Sequence, residues 1–312
     1  MSGGAASPGR DGIGAGVGIG AGVGIGARLF VALQYVLPQH GISHLVRWAT
    51  RVRWRWFKDA LIGAFMRGYR PELGDAQLTD PFAYPSFNAF FTRRLRPGAR
   101  DFARPPACIC SPVDGTVSMA GAIEADTLLQ AKGRDYRLGE LLAGDAAMAA
   151  RYRDGHFATL YLAPYDYHRI HMPLAGAWRA GWYVPGRLFS VNATTAASVP
   201  RLFARNERVV CDFDGDAGPF AVVLVGALNV GSLETAWHGD VSRVRPRAPA
   251  PLPAVPAQRR RAARGDDLGC FNMGSTVVLL LGPGLGTWLP ELLPGRVLRA
   301  GEPIGQLGAP RA

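Results

Sequence analysis

The stretch "FNMGSTVVLLLGPG", residues 271–284, holds the decision about this chain. Its apolar run, Val277–Leu281, is bounded downstream by Gly-Pro-Gly and reads as a buried strand. Directly ahead of that run stand Gly274, Ser275 and Thr276, so a small nucleophile sits at the mouth of the strand beside a residue with no side-chain cover. Two readings follow from the stretch alone. Gly-Ser before a strand is ordinary turn chemistry, and an exposed serine hydroxyl next to a glycine is also an arrangement for covalent catalysis.

Working outward, the chain has 312 residues with 48% hydrophobic content, enough for a sizeable core in one large domain with appendages or in two smaller ones. The net charge is +11 and the isoelectric point about 10.1, which directs attention to nucleic acid, anionic membrane or an acidic substrate. Cys108, Cys110, Cys211 and Cys270 form no CxxC pair, and a disulfide between Cys108 and Cys110 along one strand would be strained. They read as reduced thiols of a cytoplasmic protein.

At the N-terminus, "GIGAGVGIGAGVGIGA" (12–27) is uncharged, but its alternating glycines make a poor helix and a weak apolar core. Neither a membrane span nor a signal peptide is expected there, and residues 1–28 read as a disordered tail. From Leu29 to Tyr69 helical character dominates, with a break near Pro38–Gly41. Leu45, Trp48, Ala49, Val52, Trp56, Ala60 and Phe65 fall at helical spacings, with Arg47, Arg51, Arg55, Lys58 and Arg67 largely elsewhere around the helix. Interleaved tryptophan and arginine suit a membrane interface; a helix packed on the protein's own core gives the same periodicity.

Residues 105–240 read as mostly β, without a βαβ rhythm, and the Pro/Ala/Arg-rich 243–269 stretch reads as an exposed loop. Two further segments can carry chemistry. "CSPVDGTVS" (110–118) places Asp114 in a turn, as a turn cap or as a working carboxylate. "YLAPYDYHRIHMPLAG" (161–176) sets His168 and His171 three residues apart. Asp, His, His and Ser admit three chemistries. His171 can serve as base for Ser275 with Asp114 fixing its tautomer. His168, His171 and Asp114 can ligate zinc in a hydrolase, although the HRIH spacing suits neither one helix face nor one strand face. The third reading is an anionic-lipid-binding module in which none of them reacts.

"SPVDG", "YDYHRIHMP", "VPGRLFSVN", "LFARNERV" and "FNMGSTVV", in this order, closely resemble the pyruvoyl-dependent bacterial phosphatidylserine decarboxylases. The likeness runs from about Leu29 to Leu307 and takes in "FNAFFTRRLRPGAR" (87–100), "LQAKGRDYRLGELLAG" (129–144) and "GEPIGQLGA". The resemblance implies an α+β fold: amphipathic, membrane-associating helices over 29–100, then a β-rich catalytic domain over 101–312 completed by strands of a small C-terminal chain. It implies self-cleavage between Gly274 and Ser275 into a 1–274 β chain and a 275–312 α chain, with Asp114 and His171 as the relay. Ser275 becomes a covalent pyruvoyl cofactor, His168 handles a proton during decarboxylation, and Tyr161 and Ser190 contact substrate. No metal is implied. The implied partners are phosphatidylserine in an anionic phospholipid membrane and the sister chain in a self-derived heterodimer, compatible with further dimerisation; nucleic acid is not among them. The implied location is peripheral, on the cytoplasmic face of the inner membrane. The glycine repeat and the 243–269 loop have no counterpart in the family pattern.

Overall fold

The computed structural model describes residues 25–131, 133–228, 232–243 and 246–308. The Gly-rich repeat therefore lies almost wholly outside the described residues. Ile25 opens the first helix, so residues 25–28 of the expected tail are helical.

The fold centres on the run that opened the sequence reading. Thr276–Leu281 is a strand buried along its whole length. It pairs antiparallel with His156–Tyr161 on one side and Gly218–Val225 on the other. Outward from these the same nine-stranded antiparallel sheet adds Gly115–Ala122 and Val297–Leu298 in one direction. In the other it adds Arg208–Gly215, Gly176–Val184 and an edge of two short pieces, Ala250–Pro251 and Arg261–Ala262. A sheet with one wet face alternates apolar and polar residues. Val277–Leu281 and Phe220–Val225 do not alternate, because both faces are covered and every side chain is buried.

Smaller sheets flank the large one. Gly239–Asp240, Leu233–Thr235, Asp267–Phe271 and Arg169–His171 form a four-stranded sheet that carries the HRIH segment. Cys108–Cys110, Pro303–Leu307 and Gly286–Trp288 form a three-stranded one. The four cysteines are free and buried, with the Cys108 and Cys110 sulfurs 3.9 Å apart.

The helical region comprises α1 (Ile25–Val36), α2 (Gln39–Arg51), α3 (Arg55–Tyr69) and α4 (Phe87–Phe91). The break near Pro38 falls as expected, but a second one at Val52–Trp54 divides the apolar stripe of the sequence reading into two parts. Leu45, Trp48 and Trp56 are exposed, together with Trp54. Ile62 and Phe65 turn inward and pack with Tyr84, Phe87, Phe90 and Phe91 in a separate aromatic core. Residues three and four apart share a face only while the helix axis runs on; the extended residues at 52–54 reset it. None of the described helices is long and apolar enough to cross a membrane.

The described part of the Pro/Ala/Arg stretch is mostly exposed, as expected, but it is not an unpaired loop. It lies along the sheet edge, where Ala250 pairs with Tyr183 and Arg261 with Ala177. Val255 is buried and its carbonyl accepts from Arg260 Nε at 2.7 Å. Proline lacks the N–H that an interior strand must donate, and an edge does not demand it.

Candidate active site

One row of residues across the large sheet locates the site: Thr116, Tyr161, Thr276, Val225 and Arg208 are successive cross-strand partners. At this end of the sheet the motifs, far apart in sequence, become neighbours. Gly115 must be glycine, because a Cβ there would fall 2.5 Å from the Tyr161 carbonyl oxygen. Ser275 is buried, its carbonyl accepts from Leu162 N at 2.8 Å, and its hydroxyl donates to the Val225 carbonyl. The serine is therefore held on the backbone and sealed from solvent.

His168 is fully buried, its ring stacked on Phe91 with centroids 4.1 Å apart. Its Nε2 lies 3.3 Å from the Pro164 carbonyl, which assigns the proton to that nitrogen and leaves Nδ1, which has no partner, with a free lone pair. Burial pulls its pKa down to about 3, so the ring is neutral. It is also the imidazole beside Gly274, where an added Cβ would meet His168 Cε1 at 3.4 Å.

His171 reaches the same region by its backbone, whose N–H donates to the Pro112 carbonyl of the SPVDG turn at 2.8 Å. Its side chain has other partners. Nδ1 lies 2.8 Å from the Gly265 carbonyl and Nε2 3.0 Å from the Tyr167 hydroxyl. Desolvation lowers its pKa, with the Gly265 contact opposing. Asp114 is held by a fork from Arg100, at 2.9 Å from Nε and 2.5 Å from Nη2, and accepts from Ala300 N at 2.8 Å. Asp114 and His171 are thus adjacent by backbone without a bond between their side chains. Arg100 stands between them, bonded to Asp114 and with its guanidinium carbon 5.9 Å from the centre of the Tyr167 ring.

Tyr161 sits in the cross-sheet row, half-buried, its hydroxyl pKa raised by desolvation. Ser190 faces the helices: its N–H and hydroxyl both donate to Gln34 Oε1 of α1, at 2.7 and 3.0 Å. Asn206 links this loop to the serine's surroundings by bonding both Phe189 and the Gly226 carbonyl. Among the described residues no group of three His, Cys, Asp or Glu side chains is arranged to hold a metal ion.

Arg100, Tyr167, Phe91 and Val225 were not singled out from the sequence. Arg100 and Phe91 lie in "FNAFFTRRLRPGAR", which carries no chemical signature of its own. Tyr167 adjoins the histidines, and its contact with His171 at i+4 was the one signal open to reading.

A family model described as phosphatidylserine decarboxylase matches residues 87–306, and a second, described as PSD, matches 29–70. Curated relatives named phosphatidylserine decarboxylase proenzyme include one from Methylococcus capsulatus, 48% identical over 89% of this chain and 96% of that protein. Another from Alkalilimnicola ehrlichii is 52% identical over 81% of this chain and 88% of its own length. A third from Pseudomonas aeruginosa PAO1 is 51% identical over 88% and 96%. With the family model covering the β-rich core and the helical region matched separately, the chain belongs to the phosphatidylserine decarboxylase family.

Proposed function

We propose that this chain is a proenzyme that cuts itself between Gly274 and Ser275 and, in its mature form, decarboxylates phosphatidylserine to phosphatidylethanolamine and carbon dioxide. The observation that carries this reading is the Gly274–Ser275 junction, buried at the end of the central strand against a neutral histidine with a free lone pair. For cleavage, Ser275 Oγ attacks the Gly274 carbonyl carbon and the acyl group moves from nitrogen to oxygen. Elimination then releases residues 1–274 with a C-terminal carboxylate, and hydrolysis of the remaining dehydroalanine expels ammonia and leaves a pyruvoyl group. His171 takes the hydroxyl proton, a role for which its Nε2 must give up the Tyr167 hydroxyl it holds at 3.0 Å and Asp114 must exchange the Arg100 fork for His171.

The neighbouring atoms fit that group. Leu162 N already holds the Ser275 carbonyl oxygen, and His168 Nδ1 and Thr276 Oγ1 are buried without partners. Once formed, the pyruvoyl group supplies a ketone that takes up the substrate amine and an electron sink for the departing carboxylate. His168 carries a proton at Nδ1 between the reacting carbon and its surroundings, and the packed walls around it exclude water. Ser190 and Tyr161 contact the substrate at the helix side of the site. The exposed Trp and Leu residues of α2 and α3 and the net charge of +11 support peripheral attachment to the cytoplasmic face of an anionic membrane.

Intact mass and gel analysis test this. Wild type should give a large chain ending at Gly274 and a small chain of residues 275–312 without a free amine; Ser275→Ala should stay whole and inactive. Carbonyl reagents should abolish activity and chelators leave it. Full-length wild type that still decarboxylates lipid, or stoichiometric zinc with resistance to carbonyl reagents, would reject the pyruvoyl reading.

A further inference from the structure

Arg93 follows α4 and is 3% exposed. Neither Nε nor Nη1 has a hydrogen-bond partner, and Nη2 makes only a long 3.5 Å contact to the Asp166 carbonyl. Among the described residues no carboxylate stands within ion-pair distance of it. The four carboxylates that line the same cavity as Arg93 are engaged elsewhere, Asp75 by Arg100 at 2.8 Å and Glu72 by Arg299 at 3.3 Å. Asp114 is forked by Arg100. The Asp166 carboxylate accepts from Ala163 N at 2.7 Å, and burial pushes its pKa up to about 6. A buried guanidinium without a counterion is strongly disfavoured, so a site that retains one is built for an anion that arrives.

Arg93 lines a cavity of about 890 Å³ with Arg67, Tyr69, Arg70, Tyr165 and Asp166. This cavity also reaches Asp114, while Asp166 and Tyr167 on its wall immediately precede His168. Phe90 ties it to the chemistry a second time. The Arg93 guanidinium lies 5.9 Å from the Phe90 ring centre, and the next residue, Phe91, stacks on His168.

We propose that Arg93 is a substrate-binding residue that grips the phosphodiester of the glycerophospholipid headgroup. The inference rests on the proposed decarboxylation, and the headgroup offers two anions. A cation on the carboxylate would stabilise the charge that must vanish as carbon dioxide leaves, holding the ground state more tightly than the transition state. The phosphodiester keeps its charge throughout, so a fixed guanidinium holds it equally before, during and after reaction. Such uniform binding appears in KM and not in kcat, and the planar fork of arginine suits two phosphate oxygens.

The test uses self-cleaved enzyme and soluble dihexanoyl phosphatidylserine, with carbon dioxide release as readout. Arg93→Gln should cleave like wild type, raise KM on the order of 10- to 100-fold and leave kcat within a few-fold; Arg93→Lys should raise KM less. In wild type, glycerophosphoethanolamine, a phosphodiester without a carboxylate, should compete with substrate, while L-serine and inorganic phosphate should compete far more weakly. Arg93→Gln should lose the glycerophosphoethanolamine inhibition. An unchanged KM in both variants, a fall in kcat at constant KM, or competition by L-serine or inorganic phosphate equal to that of the diester would overturn the assignment. The wild-type inhibition series and Arg93→Lys decide the matter even if Arg93→Gln fails to fold. Wild type that cleaves but releases no carbon dioxide would instead reject the decarboxylase reading.

Discussion

At the residue scale the two histidines are set apart by their partners. His171 has both ring nitrogens engaged, by Tyr167 and Gly265, whereas His168 keeps Nδ1 free beside Gly274. Under the proposed roles, His171→Ala should remain uncut on a gel. His168→Ala should mature into two chains and release carbon dioxide roughly 10²-fold more slowly, the scale of a lost general acid or base. A His168→Ala protein that stays whole would move the cleavage base from His171 to His168, to which the short approach to Gly274 also lends itself. Burial gives His168 a thermodynamic signature as well. Its pKa falls to about 3 in the folded state against ~6.5 for an unperturbed imidazole, so the unfolded chain binds the extra proton. Stability must then drop as pH falls from about 6.5 towards 3. Measured by denaturant unfolding of Ser275→Ala, which stays one chain, adding His168→Phe should flatten that acid-side slope by close to one proton while keeping the stack on Phe91. An unchanged slope would show that His168 is hydrated and titrates normally.

At the element scale, α1 to α4 have two tasks divided along their length. α3 sends Ile62 and Phe65 into the aromatic core with Phe87, Phe90 and Phe91, and Met273, two residues ahead of Ser275, packs against that cluster. α2 is pinned to the β domain by Arg47 on Asp240 at 2.7 Å and Arg51 on Ser232 at 3.1 Å. What remains outward is Leu45, Trp48, Trp54 and Trp56, each more than half exposed. Replacing these four by serine should therefore spare folding and self-cleavage yet weaken binding to phosphatidylserine-containing vesicles by 10²-fold or more, given about 25 cal/mol per Å² of apolar area withdrawn from water. Vesicle flotation checks it, and equal binding by the variant would take the membrane face elsewhere on the molecule. The helices, the apolar central strand and the motif order could be read from the sequence because each is a local pattern of period or spacing. The split at Val52–Trp54 could not, since the residues on either side keep helical spacing while the axis turns. Nor could the Arg100 fork on Asp114 or the Tyr167 contact with His171, because a relay inferred from residue types says nothing about which neighbours occupy their lone pairs. The edge pairing of Ala250 and Arg261 was hidden by proline, whose tolerance depends on a sheet position that local composition does not record.

At the scale of the whole molecule, the proposed cut falls at the start of the central strand, so the fate of the two products follows from the sheet. Residues 276–281 lie between His156–Tyr161 and Gly218–Val225, with ladder bonds on both sides and every side chain buried. Beyond them, Gly286–Trp288 and Pro303–Leu307 pair with each other, and Pro303–Leu307 also pairs with Cys108–Cys110, while Val297–Leu298 closes on Gly115–Ala122. Burial of Val277, Val278, Leu279, Leu280 and Leu281 at about 1.5–3 kcal/mol each favours association by on the order of 10 kcal/mol, before any ladder bond is counted. Dissociation would open the large sheet through its middle and expose two unpaired edges. The cleaved chains should therefore co-elute in gel filtration at low micromolar concentration and separate only under conditions that unfold the sheet. Denaturant melts followed by tryptophan fluorescence and by chain separation should share one midpoint. The mature pair should also unfold at lower denaturant than Ser275→Ala and with a concentration-dependent midpoint, because losing the covalent link makes unfolding bimolecular. Release of the 275–312 chain in native buffer, with the sheet otherwise intact, would contradict this arrangement.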